Sequence, residues 1–184
     1  SVVRLLRSVG LDVQQFSSVA DFSKAKLSDG PTCLVLDVRM PGRSGLELQR
    51  DLAAANRHVP IIFITGHGDI PMSVQAMKGG AIEFLTKPFR EQDLLEAIQL
   101  GHARDRARLE QERAMAGLKV RFETLTPRER EVLAWIAEGK RNAEIAMILG
   151  TKPSTVKSQV EVILRKLGAE TRGAAAAVWW ARQG

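Results

Sequence analysis

A single cysteine in 184 residues, Cys33, rules out an intrachain disulfide and fits a reducing compartment. It lies inside an apolar run, where a thiol behaves as a small buried hydrophobe. No apolar stretch approaches the roughly 20 residues of a membrane-spanning helix. The opening residues also lack the form of a secretory signal, so a cytoplasmic chain with no membrane partner is expected. The three histidines, His58, His67 and His102, have no metal-ligand spacing, which argues against a zinc centre. With 45% hydrophobic and 26% charged residues the composition is ordinary, and the net charge is +6. That charge is unevenly placed: residues 1–100 carry 11 Lys and Arg against 11 Asp and Glu, whereas residues 101–184 carry 16 against 10. A basic second part points to a polyanion partner there.

Three apolar runs in the first part each end on a polar residue. Cys33-Leu34-Val35-Leu36 ends on Asp37, Ile61-Ile62-Phe63-Ile64 on Thr65, and Ala81-Ile82-Glu83-Phe84-Leu85-Thr86 on Lys87. Such runs, bounded by Gly and Pro, read as buried parallel strands, and ligands bind at the carboxyl ends of strands in open α/β sheets. A carboxylate, a hydroxyl and an ammonium converging at one sheet edge outline a phosphoryl site: a nucleophile, a hydrogen-bond donor and a cation.

The pattern predicts a helix over residues 2–9 stopped by Gly10, a short strand over 13–16, a helix over 21–27, and then the strand ending at Asp37. Helices over 44–55 and 71–78 alternate with strands over 60–64 and 81–85, and a helix begins at Glu91. Residues 101–123 are rich in Arg, Glu, Ala and Gln and read as a solvated helical linker; a coiled-coil seam through Ala97, Leu109 and Met115 is too short to favour. Thr126-Pro127-Arg128-Glu129 has the form of a capping box. Helices over 127–138, 142–149 and 153–167 follow, then an Ala-rich helix carrying Trp179 and Trp180. The pair separated by Gly150 suggests helix-turn-helix.

At Asp37-Val38-Arg39-Met40-Pro41-Gly42-Arg43-Ser44-Gly45-Leu46, Thr65-Gly66-His67-Gly68 and Lys87-Pro88-Phe89 the sequence resembles the receiver domain of two-component response regulators. Leu125-Thr126-Pro127-Arg128-Glu129-Arg130-Glu131-Val132-Leu133, Ser154-Thr155-Val156-Lys157 and Lys166-Leu167-Gly168 are similar to a LuxR-type DNA-binding domain. Together they resemble response regulators of the FixJ/NarL type over nearly the whole chain. The resemblance implies a doubly wound, flavodoxin-like α/β receiver over residues 1–100, the helical linker over 101–123, and a small all-α helix-turn-helix domain over 124–184.

On that resemblance the protein is a DNA-binding transcriptional regulator and not an enzyme. Asp37 is the phosphoacceptor for a sensor histidine kinase, Thr65 and Lys87 bind the phosphoryl oxygens, and Phe84 is the aromatic whose rotamer reports phosphorylation. His67 is a lesser candidate for the same pocket. Lys87-Pro88 is expected to be a cis peptide. Mg²⁺ is held in the family partly by the acceptor and a backbone carbonyl two residues on, here Asp37 and Arg39. The family's first strand and its acidic pair, which complete the Mg²⁺ site, are missing from this sequence. An N-terminally truncated receiver that lacks its first strand is therefore expected, with an incomplete Mg²⁺ site and weak phosphorylation. The partners implied are DNA, the kinase, a second copy of the chain once phosphorylated, and RNA polymerase as a further candidate.

For DNA the third helix of the second part is the expected reader, with Ser154, Thr155, Lys157 and Ser158 facing bases or phosphates and Lys152, Arg165 and Lys166 meeting the backbone. Val156, Val160, Ile163, Leu164 and Leu167 face the core. Glu161, one turn after Lys157, repels phosphate unless it reads a cytosine amine. Arg128, Arg130, Lys140 and Arg141 read equally well as a solvated charged face, and Trp179 and Trp180 as packing residues. Two alternatives stay open: a phosphorylation-independent DNA-binding regulator with a vestigial receiver, and a phosphatase of the haloacid-dehalogenase type. The latter needs an acid where Arg39 stands.

Overall fold

The computed structural model describes all residues, 1–184, which divide into two compact units, Ser1–Glu110 and Gln111–Gly184. In the first unit the apolar runs form strands β1 (Leu34–Asp37), β2 (Ile61–Thr65) and β3 (Glu83–Thr86). They make one parallel sheet in the order β1-β2-β3, with Asp37 opposite Ile64 and Thr65 opposite Thr86. All five residues of β2 are buried, as a strand covered on both faces requires. Ile61 and Phe63 join a core with Leu36 of β1 and with Phe22, Leu48 and Ala76 from helices α2 (Val19–Lys24), α3 (Gly45–Ala54) and α4 (Ile70–Lys78). Ile62 and Ile64 point the other way, as alternate strand residues must, into a core with Leu6, Leu94 and Ile98 from α1 (Val2–Ser8) and α5 (Glu91–Glu123).

Residues 13–16, expected as a strand, are not one: they run without ladder hydrogen bonds. A strand exists only where a neighbour accepts its backbone groups, and here a cavity of about 570 Å³, lined by Val13, Phe16, Leu34 and Val35 among others, separates this segment from the free edge of β1.

Helix α5 is continuous for 33 residues and absorbs the stretch read as a linker. Its middle is not uniformly solvated. Gly101 is packed so closely that a Cβ there would lie 2.7 Å from Cys33 Sγ. One turn on, the carboxylate of Asp105, 1% exposed, accepts the Thr32 N–H at 2.8 Å and pairs with Arg108 at 2.8 Å. Burial, reinforced by the Asp105 charge, pushes the Cys33 thiol up to about 12. Of the seam considered above, Ala97 lies in the core of the first unit while Met115 is exposed.

In the second unit Thr126 and Glu129 form the capping box that starts α6 (Pro127–Ala137). Helix α7 (Asn142–Leu149) ends at Gly150 in the left-handed conformation (φ 64°), and α8 (Pro153–Leu167) follows with proline in its first turn. Helix α9 (Arg172–Gln183) closes the unit. Val132, Leu133, Ile145, Val156, Ile163, Leu167 and Ala175 make the core. Trp179 packs on Phe122, with ring centroids 6.2 Å apart, and Trp180 is exposed. No helix of the chain is long and apolar enough to cross a membrane.

One ion pair ties α8 to α6: Lys166 Nζ donates to the Glu129 carboxylate at 2.8 and 3.0 Å and to the Thr124 carbonyl at 3.3 Å. Burial pushes the Glu129 carboxyl up, but bonds from Lys166 and Thr126 outweigh it and hold it below the ordinary carboxylate range. A depressed carboxyl stabilises the fold above its unfolded-state value and loses that contribution as pH falls through its folded value. All three tryptophans (Trp135, Trp179 and Trp180) lie in this unit, so their fluorescence reports its unfolding. Urea unfolding followed by that signal should show Lys166→Met costing about 1–3 kcal/mol at pH 7. The difference between the two proteins should shrink as pH falls from the ordinary carboxylate range through the lower folded-state value of Glu129.

Candidate phosphoryl and DNA sites

The parallel register brings Asp37, Thr65 and Lys87 to one edge of the sheet, the ends of β1 and β2 and the residue after β3. Asp37 Oδ1 accepts the Arg39 N–H at 3.0 Å, and Oδ2 lies 3.5 Å from Lys87 Nζ. Both side chains are partly exposed, 36% for Asp37 and 48% for Lys87, so the pair is weak on its own and open to an incoming group. The Lys87 N–H donates to the Thr65 carbonyl at 2.8 Å. The Lys87–Pro88 peptide is cis, as expected. Thr65 is fully buried, with its hydroxyl accepting the His67 N–H at 3.3 Å. His67 thus meets this region through its backbone. Phe84 is half-buried against Phe63, ring centroids 6.2 Å apart.

Gly45 has a role that sequence reasoning missed. Helix α3 starts immediately behind Asp37, with the Gly45 N–H bonded to the Val38 carbonyl at 2.8 Å. A Cβ at Gly45 would stand 2.5 Å from the Asp37 carbonyl oxygen and 3.1 Å from Phe63 Cε1. The only sequence signal is a glycine directly after the capping Ser44, whose box with Glu47 starts the helix.

For a divalent ion the residues present do not suffice. Asp37 and the Arg39 carbonyl offer two oxygens, and no cluster of three His, Cys, Asp or Glu groups exists anywhere in the chain. Octahedral Mg²⁺ coordination is not composed by these donors.

On α8, Lys152, Ser154, Thr155, Lys157 and Ser158 are all exposed at the N-terminal end, while Val156, Val160, Ile163 and Leu167 are buried and Leu164 packs against them. The Ser158 hydroxyl donates back to the Ser154 carbonyl at 3.2 Å. Lys166 is not free for phosphate, because Glu129 and Thr124 hold it. Arg128 is likewise held by Glu131 and the Leu149 carbonyl, and Arg130 lies over the Phe122 ring. Arg165 and Arg141 are exposed.

A parallel α/β unit with a carboxylate and an ammonium at its ligand edge, joined to a helix-turn-helix unit, defines the DNA-binding response regulators as a class. Residues 1–99 match the response regulator receiver domain, and residues 123–179 match the luxR family of bacterial regulatory proteins. Nodulation protein W of Bradyrhizobium diazoefficiens is 50% identical over 171 residues, covering 93% of this chain and 75% of that protein. The transcriptional regulatory protein FixJ of Azorhizobium caulinodans is 41% identical over 169 residues, covering 92% and 80%. Among solved structures, the response regulator StyR superposes with a TM-score of 0.84 at 42% identity, over 98% of this chain and 90% of that one. Full-length FixJ from B. japonicum gives a TM-score of 0.54 at 34% identity, over 95% and 86%. The chain belongs to the two-component response regulators that carry a receiver and a LuxR-type DNA-binding domain. It is a DNA-binding regulator, not an enzyme, and the haloacid-dehalogenase alternative falls with that assignment.

Gly45→Ala should destabilise the first unit by about 1–3 kcal/mol through overpacking. Urea unfolding followed by far-ultraviolet circular dichroism checks this; the Trp fluorescence transition of the second unit serves as the internal control.

Proposed function

We propose that Asp37 accepts a phosphoryl group from the phosphohistidine of a sensor kinase. A carboxylate oxygen attacks phosphorus, the N–P bond breaks, the imidazole nitrogen keeps the electron pair and takes a proton, and an acyl phosphate forms on Asp37. Lys87 then pairs with a phosphoryl oxygen and Thr65 donates its hydroxyl to another, giving up the His67 contact. The added charge of roughly −1.5 to −2 is what draws them in. Phe84 responds to the displacement of Thr65. The observation that carries this reading is the Lys87 ammonium 3.5 Å from the Asp37 carboxylate at the carboxyl end of a parallel sheet.

Receiver domains use Mg²⁺ in phosphorylation, and at this sheet edge Asp37 and the Arg39 carbonyl would be among its donors. The alternative is a phosphorylation-independent DNA-binding regulator with a vestigial receiver, against which the retention of Asp37, Thr65 and Lys87 counts. In either reading Lys152, Ser154, Thr155, Lys157 and Ser158 meet DNA in the major groove. Residues 1–100 are the receiver, 101–123 the joining helix and 124–184 the DNA-binding domain. Phosphorylated copies pair, so that two such domains read half-sites about one helical turn apart. RNA polymerase is a further contact, and the cytoplasm is the place of action.

Radiolabelled acetyl phosphate in MgCl₂ buffer should leave base-labile label on the chain, absent from Asp37→Ala. Equal labelling of both proteins overturns the assignment, and no labelling of either favours the second reading. Lys157→Ala should weaken binding to duplex DNA and flatten the logarithmic salt dependence by about one unit. Fluorescence anisotropy of a labelled duplex across a salt series measures both.

A further inference from the structure

We infer that Gly68 is a positioning residue for the aromatic readout: the absence of its side chain leaves the Phe84 ring room to stand where it does, beside Thr65. Resting as it does on the roles proposed for Thr65 and Phe84, the inference adds a third residue to that pair.

Gly68 lies in the loop between β2 and α4. Its backbone does not occupy the left-handed region, so the conformation alone places no demand for glycine. The demand is steric. A Cβ at this position would stand 2.8 Å from Phe84 Cε1, 3.1 Å from Phe84 Cζ and 3.0 Å from Thr65 Cγ2. It would therefore crowd both the ring edge and the threonine methyl.

The two neighbours differ in their freedom to yield. Thr65 is 1% exposed and sits at the end of a fully buried strand, so without a phosphoryl group to draw it away it is held where it is. Phe84 is half-buried, packed against the fully buried Phe63 ring, and keeps part of its surface in solvent. A side chain at 68 is thus relieved by moving the ring outward, away from Thr65. The nearby Gly66 offers a contrast within the same loop, since a Cβ there meets nothing within 4 Å and its backbone is also outside the left-handed region. Of these two loop glycines only Gly68 is required by what surrounds it. The ring position, and with it the surface that Phe84 presents, is set from residue 68 as well as from Asp37.

Nuclear magnetic resonance of the unphosphorylated chain with labelled Thr methyls and Phe rings tests this. In the wild type a cross-peak joins the Thr65 methyl to the Phe84 ring. Gly68→Ala should abolish that cross-peak and shift the Phe84 ring resonances, while Gly66→Ala leaves both in place. A cross-peak of wild-type strength in Gly68→Ala overturns the inference. Should Gly68→Ala fail to fold, the double variant Gly68→Ala with Phe84→Leu, which removes the ring carbons at Cε1 and Cζ, should fold again; its failure to do so overturns the steric account. Labelling by acetyl phosphate is measured on the same samples. Retained labelling at Asp37 in Gly68→Ala, with no further change at the Phe84 ring, is the expected uncoupling. A ring that still responds to phosphate as in the wild type overturns it. If no protein accepts label at Asp37, the phosphoacceptor reading fails by itself, and the cross-peak result still decides the role of Gly68.

Discussion

Burial of β2 on both faces is the constraint on which the receiver unit depends. Ile62 and Phe63 are completely buried and point to opposite cores, so each side of the strand is committed to its own layer of helices. A slip of one residue would exchange those faces, and the hydrophobic pattern forbids it. Because β1 and β3 are hydrogen-bonded to β2 in that one register, the positions of Asp37 and Lys87 follow from the packing of isoleucines and phenylalanine several residues away. The chemistry at the sheet edge is a consequence of the core, and the glycines beside it, Gly45 and Gly68, mark where backbone and rings come too close for a Cβ.

In the DNA-binding unit the positive charges divide into two populations that composition does not separate. Lys166, Arg128 and Arg130 hold helices to one another through Glu129, through carbonyl oxygens and over the Phe122 ring. Lys152 and Lys157 remain exposed at the N-terminal end of α8. Part of the positive charge of this unit is thus engaged within the fold, while Lys152 and Lys157, like Arg141 and Arg165, are open to solvent. Restraint of α8 at Lys166 fixes its C-terminal end while leaving its N-terminal face unobstructed.

Much of this was legible in the sequence because it is encoded locally. The three strands, the capping box at Thr126 and Glu129, the glycine stop at Gly150 and the inward face of α8 each follow from residues within one or two turns of each other. Asp37, Thr65 and Lys87 could be placed together because parallel topology sends all strand ends the same way. What was not legible depends on partners distant in the chain. Asp105 reads as one more charge on a solvated helix until Thr32 is seen to bond to it across 73 residues. Lys166 reads as a DNA ligand until Glu129 is found beside it. The segment at 13–16 has the right residues for a strand and no neighbour to pair with, which propensity cannot report.

The contact between Cys33 and Gly101 gives the protein a chemical clock. Only the thiolate reacts readily with alkylating agents or oxidants, and burial together with the Asp105 charge disfavours it here. While the segment before β1 stays packed on α5, the sulfur is therefore slow to react. Each time the helix lifts from the sheet, Cys33 recovers the acidity of an ordinary cysteine. The rate at which it is consumed then counts how often the receiver opens.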